Sequence, residues 1–198
     1  MKLRSSATSP FVRKVRMTAI ECGIELDLVP TNAWAPETDL VGENPLSKVP
    51  TLVLDNGDTL FDSPVICEYL DSQHAGHKLF PHEQHERFRQ LKVQALADGI
   101  LDAAVQIRIE TAIRPEDKRW NGWLERQQAA ISRALDALEK DVGHWGGVFL
   151  IGPITVVAAL GYLDFRQVCD WRNGRPHLAH WYTTTHNRRS VRETEPVE

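Results

Sequence analysis

The hydrophobic pattern of this chain changes its period once, and this change constrains the fold more than any other feature. Up to about residue 69, short strand-like runs alternate with helix-like runs, whereas from about residue 81 apolar residues recur only at helical spacing. Strands alternating with helices predict a sheet covered by helices, and a succession of helices alone predicts a bundle. We therefore expect an α/β domain at residues 1–72 and an all-α domain at residues 82–198.

The first segment reads as strand, helix, strand, hairpin and helix. Apolar residues at helical spacing from Val12 to Cys22 predict the first helix, which Gly23 is placed to end. Asn56 and Gly57 stand between two apolar runs, and this pair favours a hairpin because both residues tolerate a positive φ. A strand–helix–strand unit followed by a hairpin predicts a small mixed sheet with helices against it.

The second segment contains three helical patterns, at residues 85–113, 120–138 and 154–163. The first carries a broad apolar stripe, which is typical of a helix in a bundle. The third is apolar on nearly every side, which is typical of a buried helix. A short polar stretch at residues 72–77 separates these helices from the first segment and is expected to mark the domain boundary.

Charge and hydropathy exclude two classes of partner. The net charge is -4 and the calculated pI is near 6.1, whereas nucleic-acid-binding domains carry a concentrated excess of basic residues. The first residues lack the apolar core of a secretory signal, and no apolar run is long enough to cross a bilayer. We expect a cytoplasmic protein that binds neither nucleic acid nor a membrane.

Neither the cysteines nor the histidines indicate a metal site. The three cysteines are scattered without metal or redox spacing, which fits a reducing compartment. Four histidines near the boundary also lack ligand spacing and read as part of a solvated polar linker. These four are His74, His77, His82 and His85.

A hydroxyl residue stands where the first helix should begin. Ser9 lies between the first strand and the first helix, and the partial positive charge of a helix N-terminus favours an anion. The side chain can simply cap the helix, or it can donate a hydrogen bond to a bound anion. Thr8, Ser6 and Ser5 are alternatives for the second role, because the sequence alone does not fix the register of this turn to the residue.

Three motifs in order resemble those of the glutathione transferase family over essentially the whole chain. They are TSPFVRKVR at residues 8–16, NPLSKVP at residues 44–50 and DS at residues 62–63. The resemblance is to bacterial cytosolic-type members with a serine in the first motif. It implies a thioredoxin-like N-terminal domain, an all-helical C-terminal bundle, a homodimer, glutathione as co-substrate and no metal.

The resemblance also implies a role for each motif. Ser9 matches the catalytic serine, whose hydroxyl stabilises the glutathione thiolate over the thiol. Val49 precedes a cis Pro50 and pairs through its backbone with the cysteinyl backbone of glutathione, whereas an ordinary trans proline is the alternative. Ser63 receives the glutamyl carboxylate and Asp62 faces the α-ammonium group, although the family more often has glutamate before this serine. Both could instead be helix caps.

The function implied is transfer of an alkyl or aryl group from a small hydrophobic electrophile to the glutathione sulfur, as in detoxification. No cysteine lies near Ser9, so a mixed disulfide with the protein is disfavoured, while isomerisation and peroxide reduction stay open. A second hypothesis is an interaction or regulatory protein that keeps the fold without the enzyme activity. Three further residues, Trp34, Asn44 and Lys48, are either cleft residues or ordinary surface and packing residues.

One feature departs from the family pattern. The run AALGYLDFR at residues 158–166 resembles a buried helix of bacterial members, which serine or threonine and, three residues later, aspartate normally cap. The matching residues here are Leu150 and Pro153, so both side-chain caps are missing. We expect this loss to affect stability or the folding rate more than chemistry.

Overall fold

The computed structural model describes residues 1–197, which form two compact units. The first comprises Met1–His82 together with the C-terminal segment from Arg188 onward, and the second comprises Glu83–Asn187. The first unit is a four-stranded sheet with helices and the second is entirely helical, which confirms the predicted fold class. Residue 198, where the predicted helical domain ends, lies outside the described residues.

Within the described residues, the first unit contains four strands and three α-helices. The strands are Lys2–Ser5 (β1), Asp27–Pro30 (β2), Thr51–Val53 (β3) and Thr59–Leu60 (β4). The helices are Pro10–Glu21 (α1), Ser63–Ser72 (α2) and Arg189–Arg192 (α7). The last is numbered α7 because the helices of the second unit precede it in the chain. The sheet has the order β2-β1-β3-β4, in which β1 pairs parallel with β2 and β3 pairs antiparallel with both β1 and β4. The β2 strand is therefore an edge strand.

The hairpin forms where its turn residues predict it. Gly57 has a φ of 90° and donates its N–H to Leu54 O at 3.0 Å, while Asn56 Oδ1 accepts the N–H of Asp58 at 3.0 Å. Side chains from the strands and from both main helices then share one core, in which Leu3, Val15, Leu52, Ile66 and Leu70 are fully buried.

The residues after α2 belong to the first unit, so the observed boundary lies ten residues later than the expected end at residue 72. The Asp71 carboxylate accepts the backbone N–H of Leu79 at 2.8 Å and that of Phe80 at 3.2 Å. Both of those side chains are buried. The polar composition of residues 72–77 indicated a linker, but the apolar pair that follows anchors it to the first unit.

The C-terminal segment also packs with the first unit, whereas the sequence analysis assigned it to the helical domain. Arg13 of α1 donates to Val191 O at 3.3 Å, and Arg16 donates to Glu193 O at 3.0 Å. Glu21, at the end of the same helix, accepts hydrogen bonds from Arg188 at 3.2 Å and from Ser190. These partners lie far apart in the sequence, so no local pattern predicts their pairing.

The second unit contains four helices, Gln84–Arg108 (α3), Asn121–Asp141 (α4), Ile151–Phe165 (α5) and Pro176–Thr185 (α6). The α3 helix continues into a π-helical turn, Ile109–Ile113, and the chain leaves the helix at Arg114. Residues 151–163 of α5 are all buried, as their apolar pattern predicts. The α3 helix packs against both α4 and α5.

The N-terminus of α5 is capped by another helix. Leu150 makes no side-chain capping bond and Pro153 has no N–H to satisfy, but Gln90 Oε1 of α3 accepts the Gly152 N–H at 3.2 Å. Gln90 is held in turn by its bond to Glu86 at 2.8 Å. A Cβ atom at position 152 would lie 2.7 Å from Gln90 Oε1, so the glycine permits this approach. The absent local caps are therefore replaced by one amide.

We expect Gln90→Leu to lower the free energy of unfolding by about 1–3 kcal/mol, because it leaves the Gly152 N–H buried without a partner. Urea denaturation of the purified protein measures this. The matched control is Gln94→Leu on the same helix, since Gln94 is also buried but its Nε2 has no hydrogen-bond partner within residues 1–197. Equal losses in both variants would show that packing, not capping, is the cause.

Candidate functional site

The sheet register brings the three sequence motifs to one edge. Arg4 at the end of β1 lies opposite Thr51 at the start of β3, and Leu52 lies opposite Leu60 at the end of β4. The end of β1, the start of β3 and the end of β4 therefore share one edge of the sheet, which we call the motif edge. Beyond this edge the chain runs from β1 to Ser9 and from β4 to Asp62 and Ser63. It enters β3 at the same edge, directly after Val49 and Pro50.

Ser9 is the N-cap residue of α1. Its backbone is extended, with φ -82° and ψ 121°, and its Oγ accepts the N–H of Val12 at 3.3 Å. Capping uses an oxygen lone pair and leaves the hydroxyl proton available as a donor. The two readings of this serine are therefore compatible, since one hydroxyl can cap the helix and donate to an anion at its N-terminus.

The neighbouring hydroxyls have different partners. Ser6 Oγ and Thr8 Oγ1 lie 3.2 Å apart and form a hydrogen bond with each other. The Ser9 N–H donates to Ser6 O at 3.1 Å, which closes the turn between β1 and α1. Of these three residues, Ser9 is the one whose side chain contacts the first turn of the helix.

The second motif enters β3 through a cis Val49–Pro50 peptide bond, as the family resemblance implied. Pro50 is buried and Val49 is half-buried. Within the same motif Asn44 is buried, with 1% of its surface exposed, so it is a packing residue and not a cleft residue. Lys48 and Trp34, by contrast, are exposed.

The third motif begins α2. Asp62 is the N-cap residue, and its exposed carboxylate accepts the backbone N–H of Ser63. The side chain of Ser63 is fully buried, and its Oγ has no hydrogen-bond partner within residues 1–197. A buried hydroxyl without a partner at a helix N-terminus is a position that an anionic ligand satisfies.

Cys22 lies away from this edge. Cys22 is the C-cap residue of α1 and Ser9 is its N-cap residue, so the length of the helix separates them by about 20 Å along its axis. Burial, together with the nearby Asp71 and Cys67, raises the pKa of the Cys22 thiol to about 12. Cys67 is buried in α2, and Cys169 is exposed in the second unit.

Three potential metal ligands meet elsewhere in the first unit, namely Cys22, Asp71 and His74, whose donor atoms lie within 4.8 Å of one another. Sequence spacing gave no sign of this cluster, because Cys22 is far from the other two. His74 Nδ1 accepts the Gly76 N–H at 3.0 Å, so the neutral ring carries its proton on Nε2, 3.1 Å from Asp71 Oδ1. The Lys78 ammonium donates to the backbone carbonyls of Asp71 and His74. These bonds fasten the linker, and they already engage both ring nitrogens of His74.

A thioredoxin-like unit with two helix N-termini and a cis proline at one sheet edge, followed by a helical unit, is the architecture of glutathione transferases. Residues 8–73 match the model of the glutathione S-transferase N-terminal domain, and residues 121–184 match that of the C-terminal domain. None of the helices within residues 1–197 is both long and apolar enough to span a membrane.

Individual relatives agree over the full chain. It is 36% identical to the uncharacterized GST-like protein YibF of Escherichia coli K12, with 99% of this chain and 98% of YibF aligned. A glutathione transferase family member from Pseudomonas fluorescens Pf-5, crystallised with bound glutathione, is 42% identical with a TM-score of 0.94, covering 100% of this chain and 99% of the other. A glutathione S-transferase from Methylobacillus flagellatus KT with glutathione bound is 37% identical with a TM-score of 0.93, covering 99% of each. The chain belongs to the glutathione S-transferase family.

The environments of the cysteines lead to a labelling prediction. In native protein at pH 8 we expect iodoacetamide to modify Cys169, because it is exposed, even though burial raises the pKa of its thiol. Cys22 stays protonated far below its pKa of about 12, and together with buried Cys67 it should react only after unfolding. Mass spectrometry of native and denatured samples counts the labels, and rapid native labelling of Cys22 would contradict this assignment.

Proposed function

We propose that this protein is a glutathione transferase in which the motif edge binds glutathione and Ser9 activates its thiol. The bound thiol releases its proton to solvent, and the thiolate attacks a carbon atom of a small hydrophobic electrophile; the carbon–sulfur bond forms as the bond between that carbon and its leaving group breaks, and the leaving group departs as an anion. Family membership and the glutathione in the related crystal structures support glutathione as co-substrate. The proposal assigns no step to a metal.

The observation that carries the proposal is the buried hydroxyl of Ser63, which has no hydrogen-bond partner among residues 1–197. Leaving a buried donor unpaired costs about 1–3 kcal/mol, and an acceptor atom supplied by a ligand would offset that cost. The glutamyl carboxylate of glutathione would accept the hydroxyl proton and lie against the positive end of α2. The Ser63 N–H is already donated to Asp62, so carboxylate binding requires that side chain to share or release it.

The remaining contacts in the proposal follow from the same edge. The exposed carboxylate of Asp62 faces the α-ammonium group of glutathione, to which it is opposite in charge. The backbone of Val49, held before Pro50, pairs with the cysteinyl backbone as an added strand would. These contacts place the cysteinyl sulfur towards the N-terminus of α1.

The activating step rests on Ser9. Its hydroxyl proton is not used by the capping bond and can be donated to the sulfur, and the adjacent helix N-terminus favours the same negative charge. Both effects lower the pKa of the bound thiol and raise the fraction of thiolate, which is the nucleophile. The thiol-bearing molecule is the ligand, because Cys22 lies at the opposite end of α1.

Three broader parts of the proposal follow from the family. We assign the protein to a detoxification role in the cytoplasm, as a homodimer. A net charge of -4 gives no support to nucleic-acid binding.

The competing hypothesis is a non-enzymatic interaction or regulatory protein. Titration with glutathione separates the two, since absence of saturable binding at millimolar ligand would exclude the enzyme.

Removing the Ser63 hydroxyl tests the carboxylate site. We expect Ser63→Ala to weaken glutathione binding by about tenfold or more, which is the value of a hydrogen bond to a charged group. Folding stability should not fall, because the deleted hydroxyl has no partner within residues 1–197. Isothermal titration calorimetry measures the affinity. Ser72→Ala at the other end of α2 is the matched control, and an equal loss there would contradict the assignment.

Replacing Ser9 separates capping from activation. We expect Ser9→Ala to lose about 1 kcal/mol of stability from the cap, and also to abolish the ultraviolet thiolate absorbance of bound glutathione. Ser9→Thr keeps a hydroxyl and should retain both. If Ser9→Ala is less stable but keeps the thiolate absorbance, Ser9 is only a cap. Measuring the same absorbance in Thr8→Ala and Ser6→Ala would then identify the activating group.

A further inference from the structure

Asn44 is a buried hydrogen-bonding hub within the segment that leads into β3. Its Nδ2 donates to Lys48 O at 3.0 Å and to Thr51 Oγ1 at 3.0 Å, and its Oδ1 accepts the Leu46 N–H at 2.9 Å. One amide thus fastens both ends of the turn that precedes the cis proline. These three hydrogen bonds all join groups of the protein itself, so Asn44 can influence ligand binding only indirectly, through the backbone that it holds.

The Lys48 carbonyl is held from two directions. Besides the bond from Asn44, it accepts the hydroxyl proton of Thr51 at 2.9 Å, and Thr51 is fully buried. A carbonyl oxygen has two acceptor positions, and here both are occupied by buried, mutually bonded donors. The direction of this carbonyl is therefore fixed by the interior of the unit.

Fixing this carbonyl also fixes the N–H of Val49. The two groups belong to one peptide unit, which is planar. The cis peptide bonds within residues 1–197 are Val49–Pro50 and Phe61–Asp62, so the Lys48–Val49 unit is trans. In a trans unit the N–H points opposite to the C=O, and the Val49 N–H is therefore directed away from Asn44 and Thr51.

We propose that Asn44, acting with Thr51, is a positioning residue that aims the Val49 N–H at the cysteinyl carbonyl of glutathione. This inference rests on the proposed function, because it assumes that the backbone of Val49 pairs with that ligand. A donor that is already oriented loses little conformational freedom on binding, so its hydrogen bond contributes more affinity. Asn44 acts through the backbone and does not touch the ligand.

The test compares two ligands, glutathione and an analogue in which a trans C=C bond replaces the cysteinyl–glycyl amide, so that the ligand stays uncharged and planar there but lacks the carbonyl acceptor. The wild type should bind glutathione more tightly by about tenfold, the value of one well-placed hydrogen bond. Thr51→Val deletes one donor to Lys48 O and should reduce this preference severalfold by weakening glutathione alone. Thr51→Ser retains the hydroxyl and should restore the preference.

A matched control separates positioning from general destabilisation. Thr18→Val in α1 also deletes a buried hydroxyl of the first unit, one that donates to Lys14 O at 3.0 Å, and it should leave the ratio of the two affinities unchanged. Asn44→Ala should act like Thr51→Val but more strongly, and Thr51→Val decides the question if that variant does not fold. At saturating glutathione the thiolate absorbance should stay at the wild-type value, because Ser9 is untouched.

The outcomes distinguish this inference from the function on which it rests. A reduced ratio in Thr51→Val, with restoration in Thr51→Ser, supports the positioning role. If the wild type binds glutathione but every variant keeps the wild-type ratio of affinities for glutathione and the analogue, Asn44 and Thr51 are only structural. The inference is then overturned while the proposed function stands. Failure of the wild type to bind glutathione overturns both.

Discussion

The antiparallel pairing of β3 with β1 is the constraint on which the candidate site depends. It sets the start of β3 beside the end of β1, and the β3–β4 hairpin then returns the chain to the same edge. Two helices begin there, and their N-termini are the natural anion-binding positions of the unit. Shifting this register would separate Ser9, Val49 and Ser63, although each would keep its local structure.

Single buried polar side chains hold together segments that lack a local stabilising signal. Asp71 anchors the linker, Gln90 caps a helix that has no cap of its own, and Asn44 fastens the turn before β3. Each makes two or more hydrogen bonds to backbone or side-chain groups, so its removal would leave at least one buried group unpaired. Such residues are ordinary in the sequence and are decisive only where the chain folds back on them.

Capping and chemistry use the same atoms in this fold. Ser9 satisfies a backbone donor of α1 while keeping its own proton, and Asp62 caps α2 while presenting an exposed carboxylate. A sequence with these residues is therefore consistent with a purely structural role and with a binding role at once. The buried hydroxyl of Ser63 is different, because it has no hydrogen-bond partner in the described part of the chain and capping does not account for such a group.

Local sequence patterns are enough to predict the fold class, the hairpin and the buried helix, because hydrophobic period and turn residues act over a few positions. The three motifs also indicate the family, and the site residues named from them stay predictions. The extent of each unit, the partner of the C-terminal segment, the Cys22–Asp71–His74 cluster and the replacement cap from Gln90 emerge only from the folded chain. These features join residues that are far apart in the chain, so they depend on packing in three dimensions, which no local pattern records.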